Sequence, residues 1–113
     1  MSDFKMSTSE VSGGIVIKLE GSLELAACTA LERGLLGLTA RKPKLAIFDL
    51  SGLTFISSLA MGSMVSFRHG VTRAGGQAFL AGMSPLILDC FRRPRLTALF
   101  EVRDSVAECL QTT

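Results

Sequence analysis

Residues 48–62, FDLSGLTFISSLAMG, decide how this chain is read. Phe48 closes a continuous apolar run, Leu45-Ala46-Ile47-Phe48, of the kind found in a strand covered on both faces. The strand ends at Asp49-Leu50, and a short loop leads to two hydroxyls, Ser57 and Ser58. Beyond them the period changes. Ala60, Met64, Phe67 and Val71 form an apolar stripe with Met61 and Val65 beside it, which predicts a helix from about Ser58 to Arg73. Arg73 followed by Gly75-Gly76 is the matching stop signal, a cation in the last turn and then a glycine able to take the left-handed cap. The central unit is therefore strand, serine pair, helix.

Upstream, residues 4–11 alternate loosely, Ser12-Gly13-Gly14 supplies a turn, and Ile15-Val16-Ile17-Lys18-Leu19 is rich in β-branched residues, so an antiparallel hairpin is expected. Cys28, Leu31, Leu35 and Leu38 then lie on one face of a helix. Gly34 and Gly37 interrupt it at about 1 kcal/mol each relative to alanine, marking either a close approach or a weak helix. Downstream, Gln77-Ala78-Phe79-Leu80-Ala81 is a short strand, and Ser84-Pro85 opens a helix that buries Ile87, Cys90 and Phe91 and stops before Pro94. Phe100-Glu101-Val102 makes a brief last strand, and Asp104 or Ser105 caps a final helix, Ser105 and Glu108 having capping-box spacing. The order β-β-α-β-α-β-α-β-α predicts one α/β domain over residues 1–113: a mixed four- to five-stranded sheet with about four helices packed against it.

Composition narrows the chemistry. In 113 residues, 48% hydrophobic and 19% charged, there is material for one core and no second domain. The net charge of +2 is too mild to argue for direct nucleic-acid binding or an anionic membrane on charge alone. A single histidine, His69, excludes a multi-histidine metal site and leaves one base for nucleophilic catalysis, about 16 Å along its helix from Ser58. Cys28, Cys90 and Cys109 are odd in number and widely spaced, which reads as free thiols in a reducing compartment. The start of the chain has no secretory h-region, and no run reaches the ~18 apolar residues of a membrane span. A cytoplasmic protein without membrane insertion is expected.

A serine pair at a helix start has an ordinary use: one hydroxyl caps the helix by accepting a backbone N–H. The same place suits a phosphate, because free amides and the positive end of the helix both favour anionic charge. Arg92-Arg93-Pro94-Arg95 is the one concentrated run of positive charge, most simply a solvated helix end. Neither Gly13-Gly14 nor Gly75-Gly76 belongs to a phosphate-binding loop pattern.

Taken together, DLSGLTFISS, the helix after it, RAGGQAFLAGMSP and the closing RLTALFEVRDSVAECL resemble the STAS domain, named for sulfate transporters and anti-sigma factor antagonists. In that family the loop reads D-L-S-x-[VL]-x-[FY]-[IM]-D-S-S-G-L-G, followed by a helix, an R-x-x-G-G turn and a strand. The resemblance covers nearly the whole chain and implies an anti-sigma factor antagonist. Such a protein is not an enzyme and needs no cofactor. It binds an anti-sigma factor, often a serine kinase, and so regulates sigma-factor-dependent transcription by partner switching. The kinase phosphorylates the serine after the motif's aspartate and a serine phosphatase reverses this. By position that serine is Ser58, and the partner contact comprises Ser57, Ser58, Leu59, Ala60, Met61 and Gly62. The motif's aspartate falls on Ser57, its second serine on Leu59, and its glycines on Ala60 and Gly62. The alternative implied by the same family is a non-phosphorylated scaffold subunit of a lipid-transport or signalling complex.

Overall fold

The β-branched run after Gly14 forms β2 (Gly14–Leu23), which folds back on β1 (Lys5–Val11) through Ser12 and Gly13. Gly13 takes φ +83°, a left-handed value that this tight turn needs and that glycine adopts without strain. The computed structural model describes residues 3–111. In it α1 (Cys28–Thr39), β3 (Leu45–Ile56), α2 (Ser58–Arg73), β4 (Gln77–Ala81), α3 (Pro85–Arg92), β5 (Glu101–Arg103) and α4 (Val106–Gln111) follow in turn. The sheet order is β1-β2-β3-β4-β5, with the first pair antiparallel and the rest parallel. The expected α/β fold and mixed sheet are what forms, and β3 is central.

Two unequal layers flank the sheet. On one face Leu31, Leu35 and Leu38 of α1, Met64, Phe67 and Val71 of α2, and Ile87 and Phe91 of α3 pack on Ile17, Leu19, Phe48 and Leu80. Phe48 sits at the centre of this layer, edge-on to Phe67 at 5.5 Å and to Phe100 at 6.4 Å between ring centroids. The other face is smaller: Val16, Leu45, Ile47, Phe79 and Ala81 are covered by Cys109 and Val106 of α4. Serines open the later helices as their spacing predicts, Ser84 accepting from Ile87 N at 3.3 Å and Ser105 from Glu108 N at 3.2 Å. Cys90 is half-buried rather than buried. Cys28 and Cys109 are buried, and all three thiols are free.

The main correction concerns β3. The loop expected after Leu50 does not form, and the strand runs on to Ile56. Pairing with β2 shifts twice, between Lys18 and Glu20 and between Gly21 and Ser22, and each shift leaves one extra residue on β3. These are β-bulges. They turn the strand's period of two into a period of three, so Leu50, Leu53 and Ile56 all face the core. Spacing of three reads as loop or helix in a sequence, and Ser51, which donates both its N–H and its hydroxyl to Asp49 Oδ1, adds a turn-like signature. Ladder pairing across the bulges prevails.

The two helical glycines of α1 separate cleanly. A β-carbon at Gly34 would lie 2.6 Å from Met6 Cε, so this glycine lets β1 close on α1, whereas one at Gly37 would meet nothing. At Gly14 a β-carbon would collide with the Leu45 carbonyl oxygen, which is backbone and cannot move aside cheaply. Gly14→Ala is therefore expected to lower the unfolding free energy by about 1–3 kcal/mol. Gly37→Ala should raise it by about 0.5–1 kcal/mol. Urea midpoints at unchanged m-value measure both.

Candidate functional site

The bulged end of β3 delivers the serine pair to a defined place. Ser57 N donates to Leu23 O at 3.0 Å, which extends the β2–β3 pairing by one more bond past Ile56. Ser57 is the N-cap of α2, with extended φ −86° and ψ 160°, and its hydroxyl accepts from Ala60 N at 3.2 Å. Met61 N donates to Ser57 O at 3.1 Å as the first helical bond. Cys28 Sγ lies 3.5 Å from Ser57 Oγ, so the buried start of α1 packs against the cap. Capping is thus entirely the work of Ser57.

Ser58 is free of that duty. It occupies the first position of α2, is exposed, and its hydroxyl has no hydrogen-bond partner among the described residues. No acidic residue lies in the first turn of α2, so the positive end of the helix is not neutralised by its own side chains. Ser58 opens onto a concavity of ≈ 670 Å³ whose lining includes Glu24, Leu25, Phe55 and Leu59. Leu25, Phe55 and Leu59 are 69%, 48% and 52% exposed, an apolar rim around the serine pair and the Glu24 carboxylate. Single exposed apolar residues are unremarkable, but three around one hollow form a surface suited to another protein.

The six residues expected at a partner contact divide by helical phase. Ser58, Leu59 and Gly62 face solvent and Ser57 is half-buried. Ala60 and Met61 point into the core, at 0% and 9% exposure, so their side chains support the surface from beneath rather than lining it. The structure adds Glu24, Leu25 and Phe55, which sequence reading missed. Phe55 was legible in principle, since adjacent Phe55 and Ile56 in one strand must point to opposite faces. Leu25 was not, because it lies in a short 3₁₀ turn (Leu25–Ala27) with no periodicity of its own.

Other reactive groups lie elsewhere. His69 is exposed on α2. Burial of Cys109 between α4 and the sheet pushes its thiol up, against the opposing pull of Arg103, so it is a protonated packing group at neutral pH. No cluster of three or more metal-ligating side chains occurs among the described residues. No helix among them is long and apolar enough to cross a membrane. The split between the two serines is measurable as stability. Ser57→Ala should cost about 0.5–2 kcal/mol through loss of the cap. Ser58→Ala should shift the urea midpoint by less than about 0.5 kcal/mol equivalent.

Comparison with known proteins agrees with this architecture. The chain aligns with the crystal structure of an anti-sigma factor antagonist from Mycobacterium paratuberculosis at a TM-score of 0.89 and 16% identity, covering 97% of this chain and 93% of that one. The Bacillus cell fate determinant SpoIIAA in its phosphorylated form aligns at 0.72 and 17% identity, covering 96% and 97%. The murine Slc26a9 anion transporter aligns at 0.77 and 14% identity, covering 92% of this chain but 18% of the transporter. Identities this low establish a shared fold. Among curated protein sequences none matches. The STAS domain profile matches residues 5–109, nearly the entire chain. The chain belongs to the STAS domain family.

Proposed function

We propose that this protein is a cytoplasmic anti-sigma factor antagonist: a non-enzymatic binding protein that docks on an anti-sigma factor of the serine-kinase type and is switched by phosphate at Ser58. A serine phosphatase would reset it, and the output is sigma-factor-dependent transcription. The observation that carries this reading is the division of labour at the start of α2. Ser57 holds the helix, leaving Ser58 exposed, unbonded and ringed by Leu25, Phe55 and Leu59.

The mechanism follows from electrostatics. Phosphorylation adds about −1.5 to −2 charges at Ser58, where the amide end of α2 tolerates them. The fold therefore accepts the modification at little cost. A partner packed over the apolar rim would have to desolvate that charge, next to a surface that already carries Glu24. A penalty of ~3 kcal/mol weakens binding about a hundredfold.

The scaffold alternative draws on one feature, the neutral Ser57 where the family's loop carries aspartate, which leaves a kinase without an acidic handle beside the acceptor. One experiment separates the two readings. Incubation with a cognate serine kinase and ATP is expected to add one phosphate by intact mass to the wild type and none to Ser58→Ala. Ser58→Asp, with one charge in place of nearly two, should weaken partner binding by less than the phosphate does. An unchanged wild-type mass would sink the switch: with anti-sigma factor binding retained the protein is a constitutive antagonist, and with that binding absent the scaffold reading stands instead.

A further inference from the structure

The topology sorts charge along the molecule. Strands β2 to β5 run parallel, so α1, α2 and α3 return against them and end at the pole where those strands begin, opposite Ser58. The last turns of α1 and α2 meet there at Thr39 and Gly70, and Lys44 Nζ lies beside the Gly75 turn. Two cations near these helix ends have acidic partners, Arg41 with Glu10 at 2.6 Å and Arg93 with Asp89 at 2.9 Å. Lys42, Lys44, Arg73, Arg92 and Arg95 are exposed and have no acidic partner among the described residues.

Cations at helix C-termini commonly offset the helix dipole, and that accounts for Arg73 and Arg92 in the last turns of α2 and α3. It does not account for Lys42 and Arg95. These are the two non-glycine residues with positive φ among the described residues, at 49° and 62°. Each follows a helix end, where glycine or asparagine would adopt the left-handed conformation with less strain. The chain thus holds a cation at both positions against backbone preference.

We propose that this pole docks peripherally on an anionic membrane surface, leaving the Ser58 pole turned outward and open to its partner. The pole presents helix ends and turns with long flexible cations, a match for a diffuse plane of negative charge. Helix carbonyls rather than amides face outward, so no backbone cradle selects an individual phosphate. A nucleic-acid groove takes a helix or strand pair lying within it, which helix ends do not supply. The exposed aromatic, Phe55, lies at the other pole, away from any base-stacking role here.

The test is co-flotation of the whole protein with vesicles of phosphatidylcholine, with and without phosphatidylglycerol, at low and high salt. Binding is expected only with phosphatidylglycerol, and should be lost at high salt. Lys42→Gly and Arg95→Gly each remove a cation while relieving strain, so thermal midpoints should hold or rise. Each should lower partitioning about fivefold, the equivalent of about 1 kcal/mol per cation. Ser58→Ala should bind vesicles like the wild type, which keeps this result separate from the phosphorylation reading. Equal binding to neutral vesicles, no binding to anionic ones, or unaltered binding by the glycine variants would overturn the proposal. Salt-dependent self-association or duplex DNA capture without vesicle binding would overturn it in favour of a second copy or a nucleic acid.

Discussion

The parallel pairing of β3 with β2 is the constraint on which the rest depends. It runs from Ala46 opposite Ile15 to Ile56 opposite Leu23, and the Ser57 amide continues it onto Leu23 O. Because β3 is central, its register also sets β4, and through β4 the short β5. The two bulges lengthen β3 relative to its neighbours and keep Leu50, Leu53 and Ile56 in the core as it extends. A strand that stopped at Leu50 would leave Ser57 on a mobile loop. Held by the ladder, the start of α2 is placed by the sheet itself.

On that fixed point the two serines do different jobs with the same functional group. The Ser57 hydroxyl is turned inward to Ala60 N and is touched by Cys28, so its contribution is to stability. Ser58, one residue on, is turned outward by helical phase. The same phase puts Ala60 and Met61 inside and Leu59 and Gly62 outside, so a four-residue segment anchors the helix and presents a surface at once. The charge logic is local. A phosphate would bring the net charge of +2 close to zero, but its effect on binding is at the rim of Leu25, Phe55 and Leu59, where it alters what another protein must desolvate.

Most of the fold was legible because its signals are periodic. The stripe of Ala60, Met64, Phe67 and Val71 marks α2, the β-branched run marks β2, and serine caps mark the starts of α2, α3 and α4. The far half of β3 was illegible because bulges replace the strand's own period with a spacing of three, and ladder bonds to β2 are a long-range effect that no local window contains. At the site, the two hydroxyls could be placed at a helix start but not ranked. Only backbone geometry distinguishes the cap, with ψ 160°, from the first helical residue. Leu25 and Glu24 reach the concavity through chain reversal after β2, again a tertiary effect. Likewise, Arg92, Arg93 and Arg95 form a visible run, whereas the return of the ends of α1, α2 and α3 toward the same end of the sheet follows only from parallel pairing.

The central claim is that a phosphate on Ser58 is tolerated by this fold and rejected by its partner. The most direct measurement is calorimetric titration of the kinase-type anti-sigma factor with the unmodified and the Ser58-phosphorylated protein, alongside their thermal midpoints. The account predicts affinity about a hundredfold weaker after phosphorylation, with midpoints that stay close together. Equal affinities of the two forms, or a phosphorylated protein that unfolds at markedly lower temperature, would contradict it.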